Sequence, residues 1–268
     1  MNDFTLETDA RGVSTLTLNR ADKHNAFDDA LIAGLTAALQ GLADSTQTRV
    51  LILAARGKSF CAGADLGWMQ HMAAYSEIEN LADAEALATL MHTLDTLPVP
   101  TIARVQGAAF GGGVGLVACC DMALATARAS FCLSEVKLGL TPATISPYVV
   151  RAMGARACRR YFQSAERFTA STAMTLGLLS DVLDDESSLD EAVNTLCDML
   201  LANGPVAMRE AKRLIDDVAG QPIDDALRKE TSRRIATQRI SPEGQEGLGA
   251  FFDKRPPAWQ DASKESSS

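Results

Sequence analysis

The sequence predicts an α/β core of strands and helices followed by a helical C-terminal part. Three observations carry that expectation. Short apolar runs alternate with segments of helical spacing through the first half of the chain. Glycines cluster between those runs, as in Gly111-Gly112-Gly113. After about residue 145 the glycines thin out, helical patterns dominate, and no Pro/Ser-rich linker marks a break, so the two parts are expected to pack together.

The elements follow in order. Phe4 and Leu6, then Val13, Leu16 and Leu18, alternate around Asp9-Ala10-Arg11-Gly12, which is a hairpin signal. From Asp28 a helical pattern runs through Leu31, Ile32, Leu35, Ala38, Leu39 and Leu42. Val50-Leu51-Ile52-Leu53 is an apolar run of the kind buried on both faces. Ile78 to Leu97 reads as a long helix stopped by Pro98 and Pro100. Thr101–Val105 is a strand running into Gly107 and the glycine triplet. Met122–Ala125 and Ser130–Cys132 follow as strands, and Leu189–Leu201, Val206–Val218 and Ile223–Ile240 as helices.

Composition limits the partners. The 268 residues hold 25 Lys plus Arg against 34 Asp plus Glu, a formal net charge of −9. Such a chain lacks the cations that displace phosphate counterions, so nucleic acid is not an expected partner. An anionic membrane surface is disfavoured for the same reason. A small anionic ligand is not, because it feels the local field. The six cysteines form no Cys-x-x-Cys pair and sit mostly among apolar residues, where a thiol packs as a small hydrophobe. His24, His71 and His92 show no metal-ligand spacing, so no metal site is expected. The start Met1-Asn2-Asp3-Phe4 is neither basic nor apolar, and no run of ~20 apolar residues exists. Neither a secretory leader nor a membrane span is expected, and a cytoplasmic location fits. The tail Lys264–Ser268 reads as frayed.

The glycine cluster admits three readings. Gly113-Val114-Gly115-Leu116-Val117-Ala118 matches the Gly-x-Gly-x-x-Gly/Ala dinucleotide fingerprint between a strand and a helix. The match is weak in so glycine-rich a run, and a strand and turn at Asp121–Ala129 stand where a crossover helix should continue. The glycines could instead serve close helix–strand packing. In the third reading, amides at a helix N-terminus hold a developing oxyanion, which needs a second donor from another loop.

Such a loop is present: Arg56 to Leu66 is rich in small residues and follows a buried strand. Asn19-Arg20-x-x-Lys23-x-Asn25-Ala26, Phe60-Cys-Ala-Gly-Ala-Asp65, Gly107-x-x-x-Gly-Gly-Gly113, Cys120-Asp121, Phe131-x-x-x-Glu135-x-x-x-Gly139 and Glu243-Gly244-x-x-Gly247-x-x-Ala250-Phe251-x-x-Lys254-Arg255 occur in that order. Together they resemble the crotonase superfamily, the enoyl-CoA hydratase/isomerase family, over nearly the whole chain. The resemblance implies a ββα spiral core over residues 1–190 and a helical assembly region over 191–268, joined as a homotrimer or a dimer of trimers. It implies an acyl-CoA substrate and no separate cofactor, since coenzyme A belongs to the substrate.

It also implies roles. Ala64 and Gly112 would supply the two amides that hold the thioester oxygen, and Glu135 the catalytic carboxylate. Ala26, Ala62, Asp65, Leu66, Gly111 and Leu140 would lie against the substrate, and Trp68 would either line the acyl pocket or pack. Lys23, with Arg56 and Lys58, would meet the CoA phosphates, and Phe251 and Lys254 the adenine end, from a neighbouring subunit. One departure stands out. The family's first glutamate corresponds to Gly115. Glu135 could then act alone, as in Δ3,Δ2-enoyl-CoA isomerases, or move both protons of a hydration. Alternatively, Gly115 could leave room for a carboxylate on the substrate. The last option agrees with a closer likeness, carried by Gly63–Met69, Gln106–Gly112, Cys119–Ala123, Leu133–Val136 and Ile240–Gly247, to bacterial methylglutaconyl-CoA and carboxygeranoyl-CoA hydratases. Hydration of a 2-enoyl-CoA is the expected activity. Isomerisation and catalytically weak thioester binding are the alternatives.

Overall fold

The computed structural model describes residues 2–261; the tail Lys264–Ser268 lies outside the described residues. Strands β1 (Phe4–Thr8) and β2 (Val13–Leu18) form the expected antiparallel hairpin, with Leu6 opposite Leu16. Its turn holds because Asp9 Oδ1 accepts from the Arg11 and Val13 amides and Gly12 takes φ +86°. Helix α1 (Asp29–Ala43) starts where the Asp28 carboxylate accepts from the Leu31 amide. It buries Leu31, Ile32, Leu35, Leu39 and Leu42 on one face.

The chain then makes three similar turns of a spiral. β3 (Val50–Ala55) and β4 (Ser59–Cys61) lead to α2 (Leu66–Met72) and α3 (Glu77–Asp95). β5 (Thr101–Val105) and β6 (Ala108–Phe110) lead to α4 (Gly112–Cys119). β7 (Met122–Thr126) and β8 (Ser130–Cys132) lead to a 3-10 turn at Glu135–Leu138 and to α5 (Ser146–Ser164). β9 (Phe168–Thr169), α6 (Ala170–Thr175), β10 (Asp181–Leu183) and α7 (Glu186–Leu201) complete the core, and α8 (Pro205–Val218), α9 (Asp225–Ile240), α10 (Pro242–Asp253) and α11 (Ala258–Asp261) follow.

The strands sort into two sheets, ordered β1-β2-β3-β5-β7-β10 and β4-β6-β8-β9. Within the first, every pair from β2 to β10 is parallel; within the second, β4, β6 and β8 are parallel and β9 is antiparallel. Alternation along β3 explains why its run is apolar throughout. Leu51, Leu53 and Ala55 face the main core, while Val50, Ile52 and Ala54 face Leu189, Val193 and Cys197 of α7. Each such fully buried aliphatic side chain contributes about 1.5–3 kcal/mol. The spiral turns are bound to one another at their corners. Gln106 Nε2 donates to the carbonyls of Gly57 and Ser59, and the Gln106 carbonyl accepts from Thr126 Oγ1 and Arg128 Nε. Gly107 is needed there because a Cβ would stand 2.0 Å from the Lys58 carbonyl oxygen.

The expected ββα spiral and helical C-terminal region are both present. The expected boundary at 190/191 falls inside α7, and α7 covers a face of the large sheet. The change of character comes at α8 instead: α8 and α9 bury no residue fully, and α10 buries only Ala250. The dinucleotide reading fails on local geometry. Gly113, Gly115 and Ala118 all lie within α4 and are buried, so no phosphate could reach their amides. Among the described residues no helix is long and apolar enough to cross a membrane, and no group of three or more His, Cys, Asp or Glu could hold a metal ion. Five cysteines are buried and Cys120 is half-buried; burial pushes the Cys61 thiol up to about 12 and Cys197 up to about 11.

Candidate active site

The exits of β4, β6 and β8 bring three segments together. After β4, Phe27 and Ala64 form a parallel bridge: the Phe27 amide donates to the Gly63 carbonyl and the Asp65 amide to the Phe27 carbonyl, each at 2.7 Å. Successive amides of an extended segment point to opposite sides, so the Ala64 N–H faces away from Phe27. Among the described residues it has no acceptor. After β6, Gly112 opens α4, so its N–H has no carbonyl one turn behind it. Neither amide has an acceptor among the described residues.

The glycine triplet is fixed by what surrounds it. Gly111 takes φ +50°, and a Cβ there would lie 3.2 Å from Glu135 Oε1 and 3.9 Å from the Gly63 Cα. The two amide loops and Glu135 thus meet at Gly111. A Cβ on Gly112 would stand 2.7 Å from the Phe27 ring, and one on Gly113 2.6 Å from the Cys61 carbonyl oxygen.

Glu135 begins the 3-10 turn that Gly139 closes at φ +71°. Its Oε2 is buried with no hydrogen-bond partner among the described residues. Burial pushes its carboxyl above the usual carboxylate range, and only its own amide pulls the other way. A partly desolvated carboxyl with one oxygen left without a partner is suited to exchanging a proton with a carbon acid.

The loop carrying Ala64 is held by residues whose roles the sequence did not disclose. Asn25, fully buried, donates through Nδ2 to the carbonyls of Arg56 and Ser59 and accepts from the Arg20 amide. It and His24 take φ of +56° and +52°, a conformation that asparagine tolerates. The buried Arg20 guanidinium pairs with Asp28 at 2.6 Å and reaches Asp65 at 3.6 Å. Asp65 also caps α2, accepting from the Gly67 and Trp68 amides. Its carboxyl is held below the usual range chiefly by Lys23.

Other expected site residues fall into groups. Ala26 is buried, its carbonyl bonded to Arg20, and Ala62 donates its amide to the His24 carbonyl. Lys23 is paired: its Nζ lies 3.0 Å from Asp65, with its side chain half exposed. Arg56 and Lys58 are exposed and make no ion pair among the described residues. Leu66 and Leu140 expose 78% and 54% of their surface, so each leaves apolar area beside the Gly63–Glu135 junction. Trp68 packs in the main core at 7% exposure. Phe251 and Lys254 lie on and just after α10, which packs on α8 and α9, and their own chain does not carry them to Glu135.

Gly115 requires a correction. It does not leave room. A Cβ there would stand 2.3 Å from Ile145 Cγ2 and 3.2 Å from Met91 Cε, so apolar side chains already fill the volume. Ile145 sits just before α5, distant in sequence, and nothing in the Gly115 segment announces it.

Two sheets in a ββα spiral thus bring two amides without acceptors among the described residues and one half-buried carboxyl together at the strand exits. Residues 8–262 match the family model described as enoyl-CoA hydratase/isomerase, and the chain belongs to that family within the crotonase superfamily. It is similar to a solved enoyl-CoA hydratase from Shewanella pealeana, with TM-score 0.93 and 50% identity over 96% of each chain. It is similar to the solved AtuE of Pseudomonas aeruginosa, with TM-score 0.92 and 33% identity over 97% of this chain and 100% of that one. It is also 34% identical to the mitochondrial methylglutaconyl-CoA hydratase of Homo sapiens over 266 residues, 95% of this chain and 76% of the relative.

Proposed function

We propose that the protein hydrates a 2-enoyl-CoA reversibly, with Ala64 and Gly112 as oxyanion donors and Glu135 as the proton carrier. The observation that carries this is the meeting at Gly111 of two acceptor-free amides and a half-buried carboxyl with one oxygen left without a partner. Water oxygen bonds to the β carbon while the double-bond electrons shift to the thioester oxygen, where the two amides stabilise the enolate. Glu135 takes the water's proton and returns a proton to the α carbon, so water is added with no net change at the carboxyl. The conjugated enoyl absorbance should fall on adding enzyme to a 2-enoyl-CoA in water.

One observation favours a second reading. Ile145 closes the place of a second carboxylate with apolar surface. A single carboxylate against an apolar wall suits moving one proton between two carbons, which is isomerisation of a 3-enoyl-CoA. There the conjugated absorbance would rise. No change with either substrate, together with tight acyl-CoA binding, would leave only a thioester-binding role.

We assign Arg56 and Lys58 to the CoA phosphates, because they are exposed and unpaired near the Ala64 loop. A carboxylated enoyl-CoA of the methylglutaconyl type remains the proposed substrate. Its support is now the likeness to methylglutaconyl-CoA hydratase alone, since the space argument at Gly115 is gone. A substrate panel with and without a distal carboxylate tests it: equal kcat/KM across the panel removes the assignment. A homotrimer, or a dimer of trimers, is supported by the apolar area that α8–α10 leave uncovered, including Ile215, Ile235 and Phe251.

A further inference from the structure

Helix α3 touches the elements that follow both free amides. Near its start, Asp83 Oδ1 accepts a 3.2 Å hydrogen bond from the indole Nε1 of Trp68 in α2, the helix that Asp65 caps directly after Ala64. Further along, Met91 Sδ lies 3.8 Å from Cys119 Sγ of α4, and Met91 Cε packs beside Gly115, three residues after Gly112. Helix α3 also packs on α1. Helix α2 has seven residues and fully buries only Trp68. Its ties to the rest of the chain include the Asp65 cap at one end, the Trp68 anchor in the middle and half-buried Met72 packed on the core at the other end.

We propose that Asp83 is a positioning residue, which fixes the Ala64 amide against Gly112 by holding Trp68, and with it α2, to the brace formed by α3. This rests on the oxyanion reading of Ala64 and Gly112. Asp83 is half-buried, and burial, with Asp29 of α1 nearby, pushes its carboxyl up against the pull of the indole bond. Loss of the acceptor frees α2 to shift. Small displacements of a donor are expensive in rate, of the order of tenfold to a hundredfold per ångström.

The test compares Asp83→Ala, Asp83→Asn and Trp68→Phe with the parent enzyme. Three readouts are needed: kcat and KM on a 2-enoyl-CoA, the infrared carbonyl stretch of bound butyryl-CoA, and thermal unfolding. In the parent, bound thioester should show a lowered carbonyl frequency. Asp83→Ala should lower kcat about tenfold, change KM less than about twofold, and reduce that frequency shift. Asp83→Asn, which keeps an oxygen acceptor, should restore most of both. Trp68→Phe should resemble Asp83→Ala, and combining the two should add little further loss. Unchanged kcat and unchanged carbonyl shift in folded Asp83→Ala, with the shift present in the parent, overturn the assignment of Asp83 alone. Absence of the shift in the parent removes the oxyanion reading, and this inference with it.

Discussion

Isoleucine has two fates in this molecule. In the spiral core Ile32, Ile52, Ile102 and Ile145 are at most 9% exposed. On and around α8 and α9, Ile215, Ile223, Ile235 and Ile240 expose 65%, 86%, 52% and 78%. The core closes on itself because β2, β3, β5 and β7 of the large sheet have an apolar layer on both sides. The C-terminal helices have no such second layer within one chain. One part of the chain buries most of its large apolar side chains, leaving Leu66, Ile78 and Leu81 of α2 and α3 exposed, and the other leaves most of its isoleucines exposed, which is the face proposed above for assembly.

The contrast can be pressed experimentally, beginning with the largest effect. Within the core, Glu135→Gln should lower turnover by about a thousandfold while acyl-CoA affinity stays within a few-fold. Calorimetric titration alongside the rate assay separates the two. The same variant should be the more stable protein at neutral pH. A carboxyl whose pKa is raised by folding is neutral in both states at low pH and carries no penalty there. As pH rises through the folded value, the folded state loses stability relative to a Gln variant. A difference in melting temperature that shrinks toward neutral pH would contradict the burial assigned to Glu135.

Next in size is Gly115→Glu, which must displace Ile145 and Met91 and should cost about 3 kcal/mol or more in chemical unfolding. Adding Ile145→Ala should recover part of that loss. No recovery would mean that Ile145 is not what fills the space. On the other side of the comparison, Ile235→Asp should barely alter the fold of one chain but should shift sedimentation toward the monomer. A variant that sediments as the parent does would place the assembly face elsewhere. The smallest effect belongs to the junction. Lys212 of α8 lies 2.9 Å from Asp121 and reaches the Val99 carbonyl, tying the helical region to the core. Lys212→Met should cost about 1 kcal/mol or less, since the pair is partly exposed.

Much of this was legible before any coordinates. The hairpin, α1, β3, α3, β5, β7 and the C-terminal helices announce themselves because their apolar periods are long and their ends carry turn or cap residues. The small sheet was less legible. β4 and β6 have three residues each, too few for a period, and β6 lies between glycines whose conformations depend on other loops. The site divides in the same way. Ala64, Gly112 and Glu135 follow from motif order, and the structure supplies the junction at Gly111. Lys23 reads as a free cation until Asp65 is seen beside it. Ile145 and Asp83 have no local signature, because each acts on a residue far away in sequence.

The corner ladder that joins the spiral turns has one more consequence. β4, β6 and β8 are neighbours in one parallel sheet, and each hands its chain directly to one of the three groups of the proposed site, Ala64, Gly112 and Glu135. Neighbouring strands sit about 4.8 Å apart whatever their sequence. The ruler for spacing two amide protons and a carboxyl is therefore the peptide ladder, a unit common to all proteins, and side chains need only refine it. Remodelling this enzyme for a new acyl group should start in the lengths of the three exits, where change leaves the ruler intact.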